Sequence, residues 1–244
     1  MKLAIIGTGK MGQAIEKMAL AQGHHIVLRI NEENVAALTN GELKKAEVAI
    51  EFTQPIAAVE NLYACLEAGI PVICGTTGWH HRIDEVTAKF NKKNGTLLHA
   101  SNFSVGVNIM FELNKVLAGW MQQHPDYLAS LIEIHHTHKL DKPSGTAVTL
   151  AQGIINTNNS SDKWHLSEES NNNPRSIAIE SLRKEDIIGD HTVEWKSPID
   201  RISIRHEAFS RDGFAAGALM AAGWIVNRKG VFTMNDILFP EVKH

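Results

Sequence analysis

The stretch Lys2-Leu-Ala-Ile-Ile-Gly-Thr-Gly-Lys-Met-Gly12 decides the fold of the first half of the chain. Its apolar start predicts a short strand of the kind buried in a parallel sheet. A Gly-x-Gly-x-x-Gly loop follows directly, and residues 13–22 have the pattern of an amphipathic helix that ends at Gly23. A plain glycine turn is the alternative to a ligand site. The strand–loop–helix context favours a dinucleotide, because such glycines let a pyrophosphate approach a helix N-terminus. The predicted contact residues are Gly7, Thr8, Gly9, Lys10, Met11 and Gly12.

The end of the second predicted strand, residues 25–30, is where a dinucleotide's adenosine ribose usually meets an acid. Here Asn31 comes first, and Glu32 and Glu33 follow it. Asn31 can hydrogen-bond a ribose hydroxyl without repelling a 2′-phosphate, and Arg29 is near enough in sequence to meet that phosphate. A solvated turn is the alternative for the two glutamates. The choice between NADH and NADPH therefore stays open.

Strands and helices alternate over the first hundred residues, which predicts an α/β fold with a Rossmann-type doubly wound parallel sheet. The further predicted strands are residues 48–53, 71–74 and 95–100, and the helices are residues 55–68 and 83–91. We expect a dinucleotide-binding domain over residues 1–106.

The second half has a different order of elements. A helix is predicted over residues 109–121, and an exposed loop over the Asn- and Ser-rich residues 156–174. Residues 176–182, 190–196 and 201–208 have the pattern of strands. Successive strands predict an α+β domain with a mixed or antiparallel sheet, over residues 107–212.

The polar chemistry of the chain is concentrated in Glu133-Ile-His-His-Thr-His-Lys-Leu-Asp-Lys-Pro-Ser-Gly-Thr-Ala147. This stretch lies between a predicted strand and a predicted helix, with Ser144 as the expected helix cap. Backbone N–H groups at Gly145 and Thr146 would suit a carboxylate. Zinc is one alternative for the histidines, but no helical His-Glu-x-x-His pattern or nearby cysteine supports it, and we expect no metal. Solvated loop residues are the other alternative.

The same stretch resembles the signature of the dihydrodipicolinate reductase family, Glu-x-His-x-x-x-Lys-x-Asp-x-Pro-Ser-Gly-Thr-Ala. The resemblance extends to residues 7–12, 75–78, 102–108 and 211–218, and so covers essentially the whole chain. It implies NAD(P)H-dependent reduction of the cyclic product of aspartate-semialdehyde and pyruvate condensation, in bacterial lysine and diaminopimelate biosynthesis. It also implies a homotetramer, and a C-terminal segment, residues 213–244, that rejoins the dinucleotide-binding domain.

The resemblance assigns roles to individual residues. His135 and Lys139 are implied as the acid–base pair, and His136, Gly145 and Thr146 as substrate-binding residues. Asp141 is expected to orient the loop or to pair with Lys139. Glu133 is expected to be structural. No role is assigned to Arg211. The residues implied at the nicotinamide end of the cofactor are Gly75, Thr76, Thr77, Ala100, Ser101, Asn102 and Phe103.

Charge, cysteine content and the start of the sequence give no sign of several other classes of protein. The formal net charge of -3 gives no reason to expect a nucleic-acid or membrane partner. Cys65 and Cys74 form no Cys-x-x-Cys pair, so we expect a reducing compartment, without a disulfide. The start of the chain is apolar too briefly for a signal peptide, and we expect a cytoplasmic protein.

Two alternative functions remain open. One is a different nicotinamide-dependent dehydrogenase, and the other is a non-catalytic dinucleotide sensor.

Overall fold

The computed structural model describes residues 1–169, 171, 173 and 175–240. The strands are β1 (Lys2–Ile6), β2 (His25–Ile30), β3 (Val48–Glu51), β4 (Val72–Cys74), β5 (Thr96–His99), β6 (Leu128–His135), β7 (Lys163–Leu166), β8 (Ser176–Arg183), β9 (Gly189–Lys196), β10 (Arg201–Ala208) and β11 (Gly230–Phe232). The helices are α1 (Lys10–Ala21), α2 (Pro55–Ala68), α3 (Ile83–Lys92), α4 (Val105–Met121), α5 (Gly145–Thr157), α6 (Asp212–Ile225) and α7 (Met234–Leu238).

One compact unit comprises Met1–Val105 together with Arg211–His244, of which residues 241–244 lie outside the described part of the chain. Its sheet has the strand order β11-β5-β4-β3-β1-β2, and every neighbouring pair is parallel. The chain adds β2 on one side of β1 and then β3, β4 and β5 on the other side, as in Rossmann-type sheets. This strand order confirms the predicted class of the first half.

Both faces of this sheet are covered, as the apolar strands predict. Leu3 and Ile5 of β1 pack into one cluster with α6, whereas Ala4 and Ile6 pack into a second cluster with α2. The approach of α6 depends on Gly217, because a Cβ atom there would overlap the carbonyl oxygen of Phe103. The small residues of α6 thus let it lie against the chain that follows β5.

The other compact unit is the continuous segment Gly106–Ser210. Its sheet has the order β10-β9-β6-β8-β7, with β6 antiparallel to β9 and parallel to β8. The core includes Trp195 of β9 and the buried faces of α4 and α5. The predicted mixed sheet of the second half is confirmed.

The predicted exposed loop over residues 156–174 is wrong in its middle, where β7 forms an edge strand beside β8. Trp164 packs against the core of this unit, and His165 Nδ1 lies 2.8 Å from Ser176 Oγ. Two apolar residues are sufficient for a four-residue edge strand, although the surrounding composition is polar. Positions 170, 172 and 174 of this segment lie outside the described residues.

Candidate active site

A cavity of about 630 Å³ lies at the carboxyl ends of β1, β2 and β3, where ligands bind in open parallel sheets. Its walls include the glycine loop, the turn after β2 and the first turns of α2. The predicted cofactor residues that line it are Gly7, Thr8, Gly9 and Asn31, joined by Glu32, Glu33, Thr53 and Asn61. The other predicted cofactor residues, which do not line this cavity, are Lys10, Met11, Gly12, Gly75, Thr76, Thr77, Ala100, Ser101, Asn102 and Phe103.

The three glycines of the loop are needed for different reasons. Gly7 has a φ of 97°, and a Cβ atom there would overlap the carbonyl oxygen of Phe52. A Cβ atom at Gly12 would overlap the carbonyl oxygen of Gly7, so Gly12 allows α1 to lie close to the strand. A Cβ atom at Gly9 would meet no atom within 4 Å. Gly9 is therefore not required by the packing of the protein, and its open side is suited to a bound phosphate group.

The end of the cavity next to β2, where the sequence predicts the ribose, is formed by a turn that includes Asn31, Glu32 and Glu33. Asn31 Oδ1 accepts a hydrogen bond from the backbone N–H of Glu33 at 3.0 Å, and Asn34 Nδ2 donates to the carbonyl of Arg29 at 2.7 Å. The Arg29 guanidinium is paired with Glu16 at 2.6 Å. A surface pair of this kind contributes at most about 1 kcal/mol, so Arg29 can leave it at little cost.

A buried carboxylate holds the loops that follow β3 and β4. Glu51 is fully buried, and it accepts hydrogen bonds from Thr76 Oγ1 at 2.7 Å and from Asn61 Nδ2 at 3.2 Å, and also from Thr53 Oγ1. Thr76 Oγ1 in turn lies 2.7 Å from the backbone nitrogen of Thr53, which lines the cavity. Burial, together with the Glu51 charge, raises the pKa of the Cys74 thiol well above its usual range. Cys74 is therefore not a thiolate nucleophile.

The remaining cofactor residues predicted in this unit differ in how they are held. A Cβ atom at Gly75 would overlap the Phe52 ring, which lies 5.7 Å from the ring of Phe103. The backbone N–H of Ala100 donates to the carbonyl of Cys74 at 3.1 Å, and Asn102 Oδ1 accepts from the backbone N–H of Ser104 at 2.8 Å. Thr77 is exposed, and Ser101 is half-buried.

The second unit positions the signature loop between the end of β6 and the start of α5. Ser144 caps α5, because its hydroxyl accepts the backbone N–H of Ala147 at 3.2 Å. Lys139 Nζ donates to Asp141 Oδ1 at 2.8 Å, so the predicted pairing of these residues is present in the structure. The imidazole of His136 is half-buried, whereas that of His138 is exposed.

Glu133 is fully buried and is the centre of a polar cluster beneath this loop. Its Oε1 accepts hydrogen bonds from the backbone N–H of Ser144 at 3.1 Å and from Arg183 Nη1 at 3.3 Å, and also from Ser181 Oγ. Its Oε2 lies 3.0 Å from His135 Nδ1 and 3.9 Å from His191 Nε2. Burial opposes ionisation of Glu133, but the interactions with His135, Ser144 and Ser181 outweigh it and hold its pKa well below the usual range.

His191 differs from His135 in its surroundings. Burial, followed by the nearby charge of His135, lowers the pKa of His191 to about 3, so its imidazole is neutral at neutral pH. Its Nε2 lies 3.2 Å from Ser144 Oγ. The two imidazole rings form an edge-to-face pair with centroids 5.0 Å apart.

Arg183 connects the cluster to the loop that carries Lys139. Its Nη2 donates to the carbonyl oxygen of Asp141 at 2.6 Å, and its Nε donates to the carbonyl oxygen of Lys139 at 3.3 Å. No hydrogen bond links His135 to Lys139 directly among the residues that the structure describes. Arg183 instead holds the backbone of Lys139, and Glu133 lies against the side chain of His135.

The cluster has the residue types of a metal site, since Glu133, His135 and His191 place one ligand atom each within 4.8 Å of one another. The hydrogen bonds argue for a different use. Oε1 of Glu133 already accepts three donors, one of them the cationic Arg183, and a second cation beside it would be repelled. We therefore expect the set to hold a proton rather than a metal ion.

Sequence analysis alone did not identify His191, Arg183 or Ser181. Side chains alternate between the two faces of a strand, so Glu133 and His135 lie on the same face of β6. The sequence alone could have predicted this. His191 joins them because it is the register partner of Glu133 across β9, and Ser181 because it is the partner across β8. Those pairings require knowledge of the strand order.

Both halves of the chain match models of known protein families. Residues 1–103 match the model of the dihydrodipicolinate reductase N-terminus, and residues 106–238 match that of its C-terminus. A 4-hydroxy-tetrahydrodipicolinate reductase of Christiangramia forsetii is 43% identical over 240 residues, covering 98% of each chain. The protein of the same name from Pelagibacter ubique is 34% identical over 253 residues, covering 97% of each chain.

Solved structures support the same fold. A dipicolinate-bound dihydrodipicolinate reductase from Paenisporosarcina sp. TG-14 has a TM-score of 0.75 at 22% identity, covering 98% of this chain and 99% of that one. An amine dehydrogenase from Mycobacterium smegmatis has a TM-score of 0.60 at 9% identity, covering 94% of each chain. Within the described residues, no helix combines the length and the apolar character needed to cross a membrane.

Proposed function

The chain belongs to the dihydrodipicolinate reductase family, and from that premise we propose that it reduces 4-hydroxy-tetrahydrodipicolinate to tetrahydrodipicolinate with a nicotinamide nucleotide. This function is supported by the matches to the family models of both the N-terminus and the C-terminus of the reductase. It is also supported by the 43% identity to the reductase of Christiangramia forsetii over nearly the whole chain. The step belongs to the biosynthesis of diaminopimelate and lysine.

The first unit is proposed to bind the nucleotide, with the pyrophosphate against Gly9 and the start of α1. The open space beside Gly9 supports this position. A bound nicotinamide nucleotide supplies the hydride. The chain's own contribution is to hold the nucleotide at the carboxyl ends of the strands. We propose that Thr76 and Phe103 act at the nicotinamide end, where Glu51 fixes the side chain of Thr76.

The second unit is proposed to bind the dicarboxylate substrate and to supply the proton. Gly145 and Thr146 lie in the first turn of a 13-residue helix, where backbone N–H groups favour an anion. His136 would contribute a donor to a carboxylate, and Lys139 a positive charge. We propose His135 for proton transfer, because an imidazole has a suitable intrinsic pKa near neutrality and this one is buried against a carboxylate.

The decisive experiment compares turnover with binding. Purified protein is mixed with NADH or NADPH and the freshly formed condensation product of aspartate-semialdehyde and pyruvate, and the loss of nucleotide absorbance is followed. Rapid oxidation that needs the condensation product supports the proposal. Oxidation with another aldehyde or sugar instead would support a different dehydrogenase. Nucleotide binding without oxidation would support a sensor.

We also propose a homotetramer in the cytoplasm. Large apolar side chains are exposed around β10, with Ile199 92% and Phe209 85% accessible, and a second copy of the chain would cover them. Light scattering should give a mass close to four times 26.9 kDa. A monomeric mass would contradict the assembly and leave the reductase assignment unaffected.

A further inference from the structure

We propose that Glu133 is a positioning residue that fixes the tautomer of His135 and holds the Lys139 loop in register with it. The proposal rests on the proposed function, because it assumes that His135 transfers a proton. The sequence analysis predicted only a structural role for Glu133. Its contacts support a more specific one.

Glu133 distinguishes the two nitrogens of His135. Nδ1 lies 3.0 Å from Glu133 Oε2, which is ion-pair distance without the alignment of a hydrogen bond, and the nearby carboxylate favours a proton on Nδ1. Only Nε2 is then left to exchange a proton with a ligand. A Cβ atom at Gly189 would lie 3.1 Å from Nε2, so a glycine at this position leaves room on that side of the ring. Glu133 thus selects which nitrogen is presented.

The groups next to His135 differ in charge. Among the described residues they include Glu133 on β6 and His191 on β9, with Arg183 on β8 lying beyond Glu133. His191 is neutral at neutral pH and Arg183 is directed to Oε1 of Glu133. Among these groups, Glu133 is therefore the negatively charged one, and it lies against His135.

Glu133 also holds the signature loop. Glu133 Oε1 accepts the backbone N–H of Ser144 at one end of the signature loop. It also accepts Arg183 Nη1, and Arg183 holds the carbonyls of Lys139 and Asp141. One carboxylate therefore orients His135 through Oε2 and anchors the Lys139 backbone through Oε1. A substitution there should affect both groups at once.

The test is Glu133→Gln, which keeps the shape and removes the charge. If the glutamine amide nitrogen faces His135 Nδ1, it donates to that nitrogen and forces the proton onto Nε2. We expect turnover to fall by about 10²–10⁴-fold, as for other groups that control a catalytic histidine, with NADH affinity unchanged by calorimetry. The turnover–pH profile should differ from that of the wild type, because the carboxylate next to His135 has been removed.

The matched control is Asp190→Asn, which removes another buried carboxylate of the same sheet. Asp190 is paired with Arg205 at 2.5 Å and makes no hydrogen bond to His135 among the described contacts. We expect its turnover–pH profile to match that of the wild type. Equal losses in Glu133→Gln and Asp190→Asn would overturn the proposal, since buried charge alone would then explain both.

A spectroscopic measurement separates this proposal from the reductase assignment. The ¹⁵N chemical shifts of His135 report its tautomer whether or not the enzyme turns over, and they can be measured on the wild type even if Glu133→Gln fails to fold. We expect a proton on Nδ1 in the wild type. A neutral His135 with its proton on Nε2 would overturn the positioning role, whereas a lack of turnover with the condensation product would overturn the reductase assignment alone.

Discussion

Replacing Gly9 by valine tests whether the glycine loop binds the nucleotide. The structure leaves at least 4 Å of open space around a Cβ atom at this position, so the side chain should be accommodated in the free protein. A valine in place of the N-cap glycine costs about 1 kcal/mol of helix stability. In the complex, the same side chain would occupy the space proposed for the pyrophosphate.

The expected loss of affinity follows from the hydrogen bonds that would be broken. One hydrogen bond from a backbone N–H to a charged group contributes about 1.5–3 kcal/mol. Its loss raises the dissociation constant by about 10- to 150-fold. Calorimetric titration with NADH measures this change, and thermal unfolding without ligand measures whether the fold survives.

Gly12→Ala provides the opposite control in the same loop. Its Cβ atom would overlap the carbonyl oxygen of Gly7, so the unfolding temperature should fall even without ligand. An unchanged NADH affinity in folded Gly9→Val protein would refute the assignment of the cavity. So would a Gly9→Val protein that is less stable than Gly12→Ala, because the space beside Gly9 would then not be free.

The remaining predictions concern the cofactor, the catalytic groups, metal and pH. Steady-state kinetics should show use of both NADH and NADPH, with a ratio of kcat/KM below about a thousandfold, or roughly 4 kcal/mol. His135→Ala and Lys139→Ala should each lower turnover by about 10²–10⁴-fold with nucleotide affinity nearly intact. Lys142→Ala, whose ammonium pairs with Glu168 at 2.8 Å, should do much less, and an equal loss would indicate a diffuse positive patch. Turnover should be unchanged after dialysis against EDTA, and a loss restored by zinc would contradict the metal-free assignment. Burial, followed by the charge of His80, lowers the pKa of His99 from 6.5 to about 4. The unfolded chain therefore binds more protons between those values, and stability falls as the pH falls through them. The urea midpoint should be lower at about pH 4.5 than at about pH 7, and His99→Gln should narrow the difference; an unchanged difference would exclude His99 as a cause.

The sequence predicted the parts of the fold that depend on local patterns. Apolar strands separated by helices of regular length indicated the parallel sheet, and β3 and β5 were predicted to within two residues at each end. The short strands β7 and β11 were not predicted. Each has three or four residues and depends on a neighbouring strand for its hydrogen bonds, which a local pattern cannot show.

The candidate site was predicted less completely, for a related reason. Gly7, Gly9 and Gly12 are equivalent in a motif, and only their neighbours distinguish two packing glycines from one that faces open space. The motif also placed Glu133 beside His135 in sequence. The contribution of His191 depends on strand register, which brings together residues more than fifty positions apart.

The return of the chain to its first sheet has a consequence for synthesis on the ribosome. β11 pairs with β5, and Thr96 Oγ1 donates to the carbonyl of Arg228 across 132 positions at 2.6 Å. Until α6 has been made, the N-terminal segment exposes the apolar side chains that α6 will cover, whereas the segment Gly106–Ser210 emerges without interruption. Contacts of such long range form slowly. A nascent chain stalled before α6 is therefore a natural substrate for chaperones, although most of its first sheet has already been translated.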